Sequence, residues 1–394
     1  MTGAESTDST SQPASAPLLR TPLHSLHLAL KARMTPFAGY EMPVQYEAGI
    51  LAEHLHTRSA AGLFDVSHMG QAFLISANHE TSARALEALC PADILALAPG
   101  RQRYTQLLNE EGGILDDLMV TRPSEAAEDG VLMLIVNAAC KAADFAHIES
   151  RLPENVRLLR APHRALLALQ GPQAAAVLAR HAPGAAAMEF MSAVSTQFGG
   201  APCHISRSGY TGEDGYEISV REDRAMRIAR ALLDAPEVKP IGLGARDSLR
   251  LEAGLCLYGH DINAATSPVE ASLVWSIGKR RRSEGRFLGA ARVQCELKEG
   301  AARLRVGILP EGRAPAREGT VITNADGASI GAVTSGGFGP SLNGPLAMGY
   351  VESAFSGVGT QVNLLVRGKA LPANIAPMPF IATHYHKPGK EPSA

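Results

Sequence analysis

The sequence has no excess of charge of either sign and no long apolar run. Its 37 Lys and Arg residues nearly balance its 39 Asp and Glu residues, for a net charge of −2, so no general field favours nucleic acid or an anionic membrane. The longest clean apolar run, residues 131–136, is far too short to cross a bilayer. We therefore expect neither a nucleic-acid partner nor a membrane segment.

The chain also lacks a cysteine framework. Its five cysteines are odd in number and never spaced as C-x-x-C, which argues against a disulfide scaffold or a zinc site and favours a reducing compartment. Residues 1–17 have neither the cationic start and apolar stretch of a secretion signal nor an arginine-rich transit helix. We expect residues 1–17 to be a disordered tail, residues 386–394 a second tail, and the protein to be cytoplasmic.

Length and composition predict a globular chain of more than one domain. The chain has 394 residues, which is too many for one ordinary core. Its composition, 45% hydrophobic and 19% charged, is typical of a globular protein. From Arg303 the pattern changes to short alternating strands with Gly-Pro-Asn turns, which predicts a small antiparallel barrel or sandwich. We place this domain at residues 296–385 and a preceding region at 18–295, divided in two near 153–165.

Two adjacent acids interrupt a predicted strand that follows a double-glycine turn. Side chains alternate across a strand, so Asp116 shares one face with Ile114 and Leu118, and Asp117 lies on the other. Whichever face is buried carries a carboxylate among apolar neighbours, which is costly unless the acid is paired, capped or catalytic. From this stretch alone, an acid bonded to turn amides at the wet end of the strand is the simpler interpretation.

Three further segments carry polar residues whose role is not defined by the local sequence. Residues 206–220 contain three glycines around acids and tyrosines, and they lack the Lys-Ser/Thr of a phosphate loop. Asp65, Ser67 and His68 suggest a triad, but they lie too close in sequence to define a geometry. The basic run 279–282 is typical of a solvated face and could also dock an acidic partner.

The histidines and arginines give little more by themselves. His54 and His56 lie in a predicted helix, where they do not share a face, so we expect ordinary packing or surface roles and no metal site. Arg246 lies near a predicted helix start, where the helix dipole disfavours a cation. Such an arginine usually has a carboxylate or ligand partner.

Taken together, several segments resemble one family. They include Phe64-Asp-Val-Ser-His-Met-Gly70 and Gly112-Gly-Ile-Leu-Asp-Asp-Leu118, and in this order the set resembles the aminomethyltransferases, or T proteins, of the glycine cleavage system. The match extends from about Thr21 to Tyr385. The remaining segments that carry it are residues 37–46, 168–172, 208–215, 245–259 and 347–351.

The resemblance implies an enzyme with tetrahydrofolate as co-substrate and no metal. Such an enzyme takes the aminomethyl group on the lipoyl arm of the H protein, its transient partner, and transfers the carbon to tetrahydrofolate. The products are 5,10-methylenetetrahydrofolate, ammonia and the dihydrolipoyl arm. The implied fold class is α+β, with two α+β folate-binding domains around a central channel and a C-terminal antiparallel β-barrel.

The resemblance also assigns residues. The family's catalytic aspartate matches Asp117, where a fixed carboxylate would stabilise an iminium-like cation. The pterin-binding acid matches Glu217, which can accept hydrogen bonds from the 2-amino group and N3–H together. Asp116 is then interpreted as a turn or surface acid. The other matched folate-contacting positions are Met69, Tyr104, Asn137, Tyr210, Arg246, Trp275 and Tyr385, for most of which plain core packing is the alternative.

Three other functions compete with this interpretation. The folate domain of a sarcosine or dimethylglycine oxidase usually follows a flavin domain, but no G-x-G-x-x-G loop follows an N-terminal strand here. A non-enzymatic folate-binding relative that supports iron–sulfur proteins would carry a K-G-C-Y-x-G motif, which is missing. A β-rich binding protein without catalysis is the third alternative. Release of ammonia from aminomethylated H protein distinguishes all three.

Overall fold

A computed structural model describes residues 17–387. The predicted tails at 1–17 and 386–394 therefore fall almost entirely outside the described residues. Within the described range, no helix is both long enough and apolar enough to cross a membrane.

Most of the chain is built around one eleven-stranded sheet, in the order β13-β3-β9-β12-β11-β10-β5-β6-β7-β4-β8. Its neighbours are antiparallel except for β13 and β3. A separate hairpin, β1 (Arg33–Phe37) and β2 (Tyr40–Gln45), precedes it. The strands of the sheet are β3 (Ala61–Asp65), β4 (Gly70–Ile75), β5 (Arg101–Leu108), β6 (Ile114–Arg122), β7 (Val131–Val136), β8 (Arg157–Arg160), β9 (Arg164–Gln170), β10 (Ser192–Phe198), β11 (Ala201–Arg207), β12 (Gly215–Arg221) and β13 (Val238–Pro240).

The two halves of this sheet repeat one strand order. The first half runs β5-β6-β7-β4-β8 and the second β10-β11-β12-β9-β13, with β3 inserted between β9 and β13. The halves meet where β10 pairs with β5 at a single residue pair, Ser192 with Arg101. The sequence showed no tandem repeat, because the repeat lies in topology and not in residue identity. How the chain divides into subdomains stays a prediction.

The sheet curls so that its inner faces meet. One buried apolar cluster contains Met133 and Ile135 from β7 together with Leu166 and Ala168 from β9. These two strands lie in opposite halves of the sheet, so their side chains can share a cluster only if the sheet bends back on itself. Inward-facing polar residues of both halves therefore approach each other.

Helices cover the outer faces and link the parts. Helix α7 (Glu222–Leu233) has Ile228, Ala229 and Leu232 buried against the sheet. The helices are α1 (His24–Ala29), α2 (Ile50–Ser59), α3 (His79–Glu87), α4 (Lys141–Glu149), α5 (Ala174–Ala179), α6 (Pro183–Ala186), α7 (Glu222–Leu233), α8 (Leu243–Glu252), α9 (Lys279–Glu284) and α10 (Ala290–Glu299).

The C-terminal strands form a closed barrel in the order β14-β17-β16-β15-β18-β19, with every pairing antiparallel. Its interior is apolar, with Ile308, Ile322 and Leu364 buried together. The side chain of Arg305 is buried as well, and it donates to the carbonyls of Ala271 and Gly254. The strands are β14 (Arg303–Pro310), β15 (Val321–Thr323), β16 (Ser329–Gly339), β17 (Gly344–Glu352), β18 (Gln361–Val366) and β19 (Lys369–Ala376).

Candidate active site

Strand β6 places its two acids on opposite faces of the sheet. Asp116 lies on the same face as Leu118 and Val120, which pack in the core beneath α3 and α4, and it is fully buried. Asp117 faces the inner side, opposite Gln106 of β5. The interpretation of Asp116 as a turn or surface acid was wrong, because β6 lies between β5 and β7 and helices cover its outer face.

The double-glycine turn before β6 requires both glycines for different reasons. Gly112 has a φ of 78°, a conformation that favours glycine. At Gly113, an added Cβ would lie 1.7 Å from the carbonyl oxygen of Ala264. The side chain of Asn109 closes the turn by accepting a hydrogen bond from the Gly113 amide at 2.7 Å. The start of β6, and with it the acid pair, is therefore fixed by close backbone packing.

Asn137 binds both acids from the end of β7. Its backbone amide donates to Oδ2 of Asp116 and its side-chain amide to Oδ1 of Asp116, each at 2.9 Å. The same side-chain amide donates to Oδ1 of Asp117 at 2.7 Å. One residue therefore orients two carboxylates that point to opposite sides of the sheet.

The pKa of Asp117 is raised to about 7. Burial is the largest cause and the charge of Asp116 the second, while hydrogen bonds from Tyr104 and Asn137 lower it. Burial also raises the pKa of Asp116. A carboxyl with a pKa near neutrality can both carry negative charge and exchange a proton at physiological pH.

Aromatic side chains cover the inner side of Asp117. Tyr104, on β5, stacks on Trp275 with ring centroids 5.4 Å apart and an angle of 23° between the planes. Burial and the charge of Asp117 raise the pKa of Tyr104 well above its ordinary value, so the phenol stays neutral. Trp275 is 66% exposed, so plain core packing, the alternative considered for it, was wrong.

A second acid lies on the same inner surface. Glu217, on β12, accepts a hydrogen bond from Ser208 at 3.3 Å, and burial raises its pKa although the charge of Arg246 lowers it. The Arg246 guanidinium lies 4.6 Å from the centre of the Tyr210 ring. The Tyr210 hydroxyl donates to the carbonyl of Cys256. Tyr210 from a loop, Glu217 from β12 and Arg246 from α8 thus interact with one another.

Tyr210 interacts electrostatically with both groups. The charges of Asp117 and Arg246 act on the Tyr210 hydroxyl, and the Arg246 guanidinium also contacts the Tyr210 ring. Met69 packs against the inner apolar cluster. Tyr385 stacks on Phe190 instead, with ring centroids 4.1 Å apart. The structure thus joins most of the residues matched from the sequence and gives Tyr385 a different set of contacts.

Two family models match the chain. One is the GCVT N-terminal domain, over residues 23–281, and the other is the glycine cleavage T-protein C-terminal barrel domain, over residues 303–381. The chain belongs to the glycine cleavage T-protein family.

Full-length relatives agree with this assignment to the T-protein family. A probable mitochondrial aminomethyltransferase of Schizosaccharomyces pombe is 45% identical over 379 residues, which is 95% of this chain and 96% of that protein. The mitochondrial aminomethyltransferase of Gallus gallus is 47% identical over 383 residues, 95% of each chain. The crystal structure of the glycine cleavage system aminomethyltransferase T from Bartonella henselae matches with a TM-score of 0.88 and 44% identity, covering 94% of this chain and 100% of that one. The predicted family, fold class and transferase activity are confirmed.

Sequence reasoning missed two buried polar residues of this T-protein chain. Asp144, in the first turn of α4, is 2% exposed and faces Asp116. Gln102, on β5, lines a pocket beside Glu217, and neither atom of its side-chain amide has a hydrogen-bond partner among the described residues. Asp144 lies seven residues after Asn137, in the helix that follows β7, which is a weak signal. Gln102 lies two residues before Tyr104 and thus on the same strand face.

The suggested triad does not form in the T-protein structure. Asp65 accepts a hydrogen bond from His27 at 2.8 Å and another from the Ser67 backbone amide at 2.9 Å. His68 is buried, but its Nδ1 has no hydrogen-bond partner among the described residues, and burial lowers its pKa to about 4. Buried His54 bonds to Ser248, Glu252 and Ser341. Within residues 17–387, no group of three or more His, Cys, Asp or Glu side chains is placed to hold a metal ion.

The basic run of the T-protein chain is largely used internally. Arg280 binds Glu87 at 2.5 Å and Asp93 at 2.7 Å. Arg281 is 2% exposed and donates to backbone carbonyls. Arg282 donates to the carbonyls of residues 274 and 277. The description of this run as a solvated face was wrong for its arginines, because they bind acidic side chains and backbone carbonyls of α3 and of neighbouring loops. Lys279 is exposed.

Proposed function

We propose that this protein transfers the one-carbon unit of an aminomethyl group from the lipoyl arm of the H protein to tetrahydrofolate. Ammonia is released, and the products are 5,10-methylenetetrahydrofolate and the dihydrolipoyl arm. The observation that carries the proposal is Asp117, an inward-facing carboxyl with a pKa of about 7 that Asn137 orients. Membership of the T-protein family supplies the reaction class.

Asp117 acts on the charge that develops during transfer. Replacement of an amine by a folate nitrogen makes the one-carbon centre positive, and a fixed carboxylate lowers the energy of that state. Because its pKa is about 7, Asp117 can also accept a proton from the attacking nitrogen or return one to it. Asn137 holds the carboxylate in one orientation, so little reorganisation is needed during the reaction.

Glu217 binds the pterin edge. Among residues 17–387 its carboxylate has one weak side-chain donor, Ser208 at 3.3 Å, so acceptor capacity remains for the 2-amino group and N3–H of a pterin. The charge of Arg246 favours the ionised form of Glu217, against the effect of burial, which raises its pKa. Arg246 also contacts the Tyr210 ring, whose aromatic surface is available for the pterin to pack against. A buried carboxylate with unused acceptor sites fits this ligand.

The remaining matched residues line the approach to the reacting atoms. Tyr104 and Trp275 form a stacked pair whose outer member is exposed, as expected at the mouth of a channel. Met69 contributes apolar surface on the inner face. Tyr385 stacks on Phe190, and the folate contact expected for it stays a prediction. These roles support a folate channel at the centre of the molecule.

The test of this function is reconstitution with aminomethylated lipoyl H protein and tetrahydrofolate. We expect ammonia and methylenetetrahydrofolate in equal amounts. Omission of tetrahydrofolate should reduce ammonia release strongly, since the folate nitrogen is the attacking group. A protein that binds tetrahydrofolate but releases no ammonia from the H protein would contradict the proposal and favour a non-catalytic folate-binding role.

We place the docking surface for the H protein around the exposed Trp275 and Lys279. Trp275 lies four residues before Lys279, which is the first residue of α9, and both are exposed, while the arginines of the run donate to carbonyls within the chain. The charge reversal Lys279→Glu should weaken apparent affinity for the H protein at low salt, and the reversal Lys298→Glu on α10 is the matched control. If the Lys279→Glu variant bound the H protein with unchanged affinity, this docking surface would be ruled out.

We also propose a cytoplasmic location. All five cysteines are free in the structure, in agreement with a reducing compartment. Several relatives carry the word mitochondrial in their names, so the mitochondrial matrix is the alternative. Subcellular fractionation of the native protein decides between the two.

A further inference from the structure

Behind the acid pair, on the outer side of the sheet, lies a third carboxyl. Asp144 projects from the first turn of α4, is 2% exposed, and lies within hydrogen-bonding distance of the Asp116 carboxyl. Asp116 is itself fully buried. Two buried carboxyls in contact cannot both be ionised without a large cost, so one of them holds a proton.

The hydrogen bonds around the two carboxyls show which of them is protonated. Both oxygens of Asp116 already accept hydrogen bonds from Asn137, each at 2.9 Å, which favours the ionised form. Oδ2 of Asp144 is buried, and no donor among residues 17–387 reaches it. An oxygen in that position is satisfied if it carries a hydrogen of its own.

We propose that Asp144 is a positioning residue that holds a proton, donates it in a hydrogen bond to Asp116, and so keeps Asp116 ionised behind Asp117. The pKa values agree with the geometry. The pKa of Asp144 is raised to about 10, by burial first and then by the charge of Asp116. The hydrogen bond from Asp144 lowers the pKa of Asp116.

The protonation of Asp144 affects Asp117, on the inner face, through the charge of Asp116. An ionised Asp116 is the second cause, after burial, of the raised pKa of Asp117. The proton on Asp144 therefore helps to keep the reactive carboxyl near neutrality. This part of the inference rests on the function proposed for Asp117, whereas the protonation state of Asp144 does not.

Other titratable groups around the three carboxyls do not interfere. Burial raises the pKa of each of them above its ordinary value, so all are neutral at pH 7. The electrostatic coupling among the three aspartates is therefore not offset by a thiolate or phenolate. These groups are Tyr104 on β5, Cys140 before α4, Tyr210 in the glycine-rich loop, and Cys256 and Tyr258 after α8.

Two variants of equal size separate a proton donor from a charge. Asp144→Asn keeps a neutral donor, so the acid limb of the pH–rate profile should stay within a few tenths of a unit of the parent. Asp144→Leu removes the donor. The pKa of Asp116 should then rise, and its negative charge should fall. Because that charge raises the pKa of Asp117, the pKa of Asp117 should fall, and the acid limb should move to lower pH by about one unit.

Two outcomes of this comparison would overturn the proposal. If Asp144→Asn lowers the acid limb as much as Asp144→Leu does, Asp144 is ionised in the parent. If neither variant moves the limb, Asp144 is only a packing residue.

Infrared spectroscopy gives a readout that depends neither on activity nor on the folding of the leucine variant. At pH 8 the parent should show the carbonyl stretch of a protonated carboxyl, which should vanish in Asp144→Asn and persist in Asp117→Asn. A parent spectrum that does not change on Asp144→Asn would overturn the proposal. If the band behaves as expected while the reconstituted reaction fails, the proposed function falls and the protonation of Asp144 stands.

Discussion

The side-chain amide of Asn137 lies 2.7 Å from Oδ1 of Asp117, although the two residues are 20 positions apart in the chain. Strand β7 runs antiparallel to β6, and Asn137 follows its last residue, so the pairing of two strands brings the amide to the carboxylate. The orientation of the proposed catalytic group thus depends on the register of the sheet.

Asp117→Asn should separate binding from transfer. The amide keeps the size and one acceptor of the carboxyl, so folate affinity should change little, while transfer should fall about 10²-fold or more with the loss of one preorganised charge. Single-turnover rates and equilibrium folate binding are the measurements, with Asp326→Asn on an exposed barrel turn as control. Transfer near the parent rate would show that Asp117 has another role.

Asn137→Ala should raise the pKa of Asp117. The hydrogen bond from Asn137 lowers that pKa, so its removal should move the acid limb of the pH–rate profile to higher pH. Two carboxylates also lose a buried donor, which should destabilise the fold by about 1–3 kcal/mol. Denaturant unfolding and the pH–rate profile are the measurements. An unchanged profile in a folded variant would contradict the orienting role of Asn137.

Glu217→Gln should weaken folate binding more than it slows transfer. Loss of a charge-assisted bidentate interaction corresponds to about 10- to 100-fold in affinity. The KM for tetrahydrofolate should rise by this factor while kcat changes less. Ser208→Ala, which removes the hydroxyl that donates to Glu217 at 3.3 Å, should have a much smaller effect. Equal losses in the two variants would show that Glu217 is structural.

The stability of the parent should fall as pH rises across the titration of Asp144. Its pKa is raised from 3.8 to about 10 in the folded protein, so between about pH 4 and pH 10 the native state holds a proton that the unfolded state has released. Asp144→Asn has no such proton, so its Tm relative to the parent should increase from pH 5 to pH 9, by about 2 °C or more. A constant difference across this range would show that Asp144 titrates normally.

Much of the site could be predicted from local sequence. The turn and strand around Asp117, the strand that carries Glu217 and the helix that begins near Arg246 all form as their patterns indicate. The burial of Asp116 could not be predicted, because alternation gives two faces but not what covers each of them. Asp144 was missed for the same reason, since its importance depends on α4 packing over the outer face of β6.

The sequence by itself determined the family, most of the elements and the residues proposed to carry the chemistry, because these depend on residue types at short spacings. Only the tertiary structure decided which acid faces inward, which one is buried behind it, and where the basic run points. Those outcomes follow from long-range strand order and from the packing of helices on the curled sheet, and contacts between residues far apart in the chain leave no local pattern.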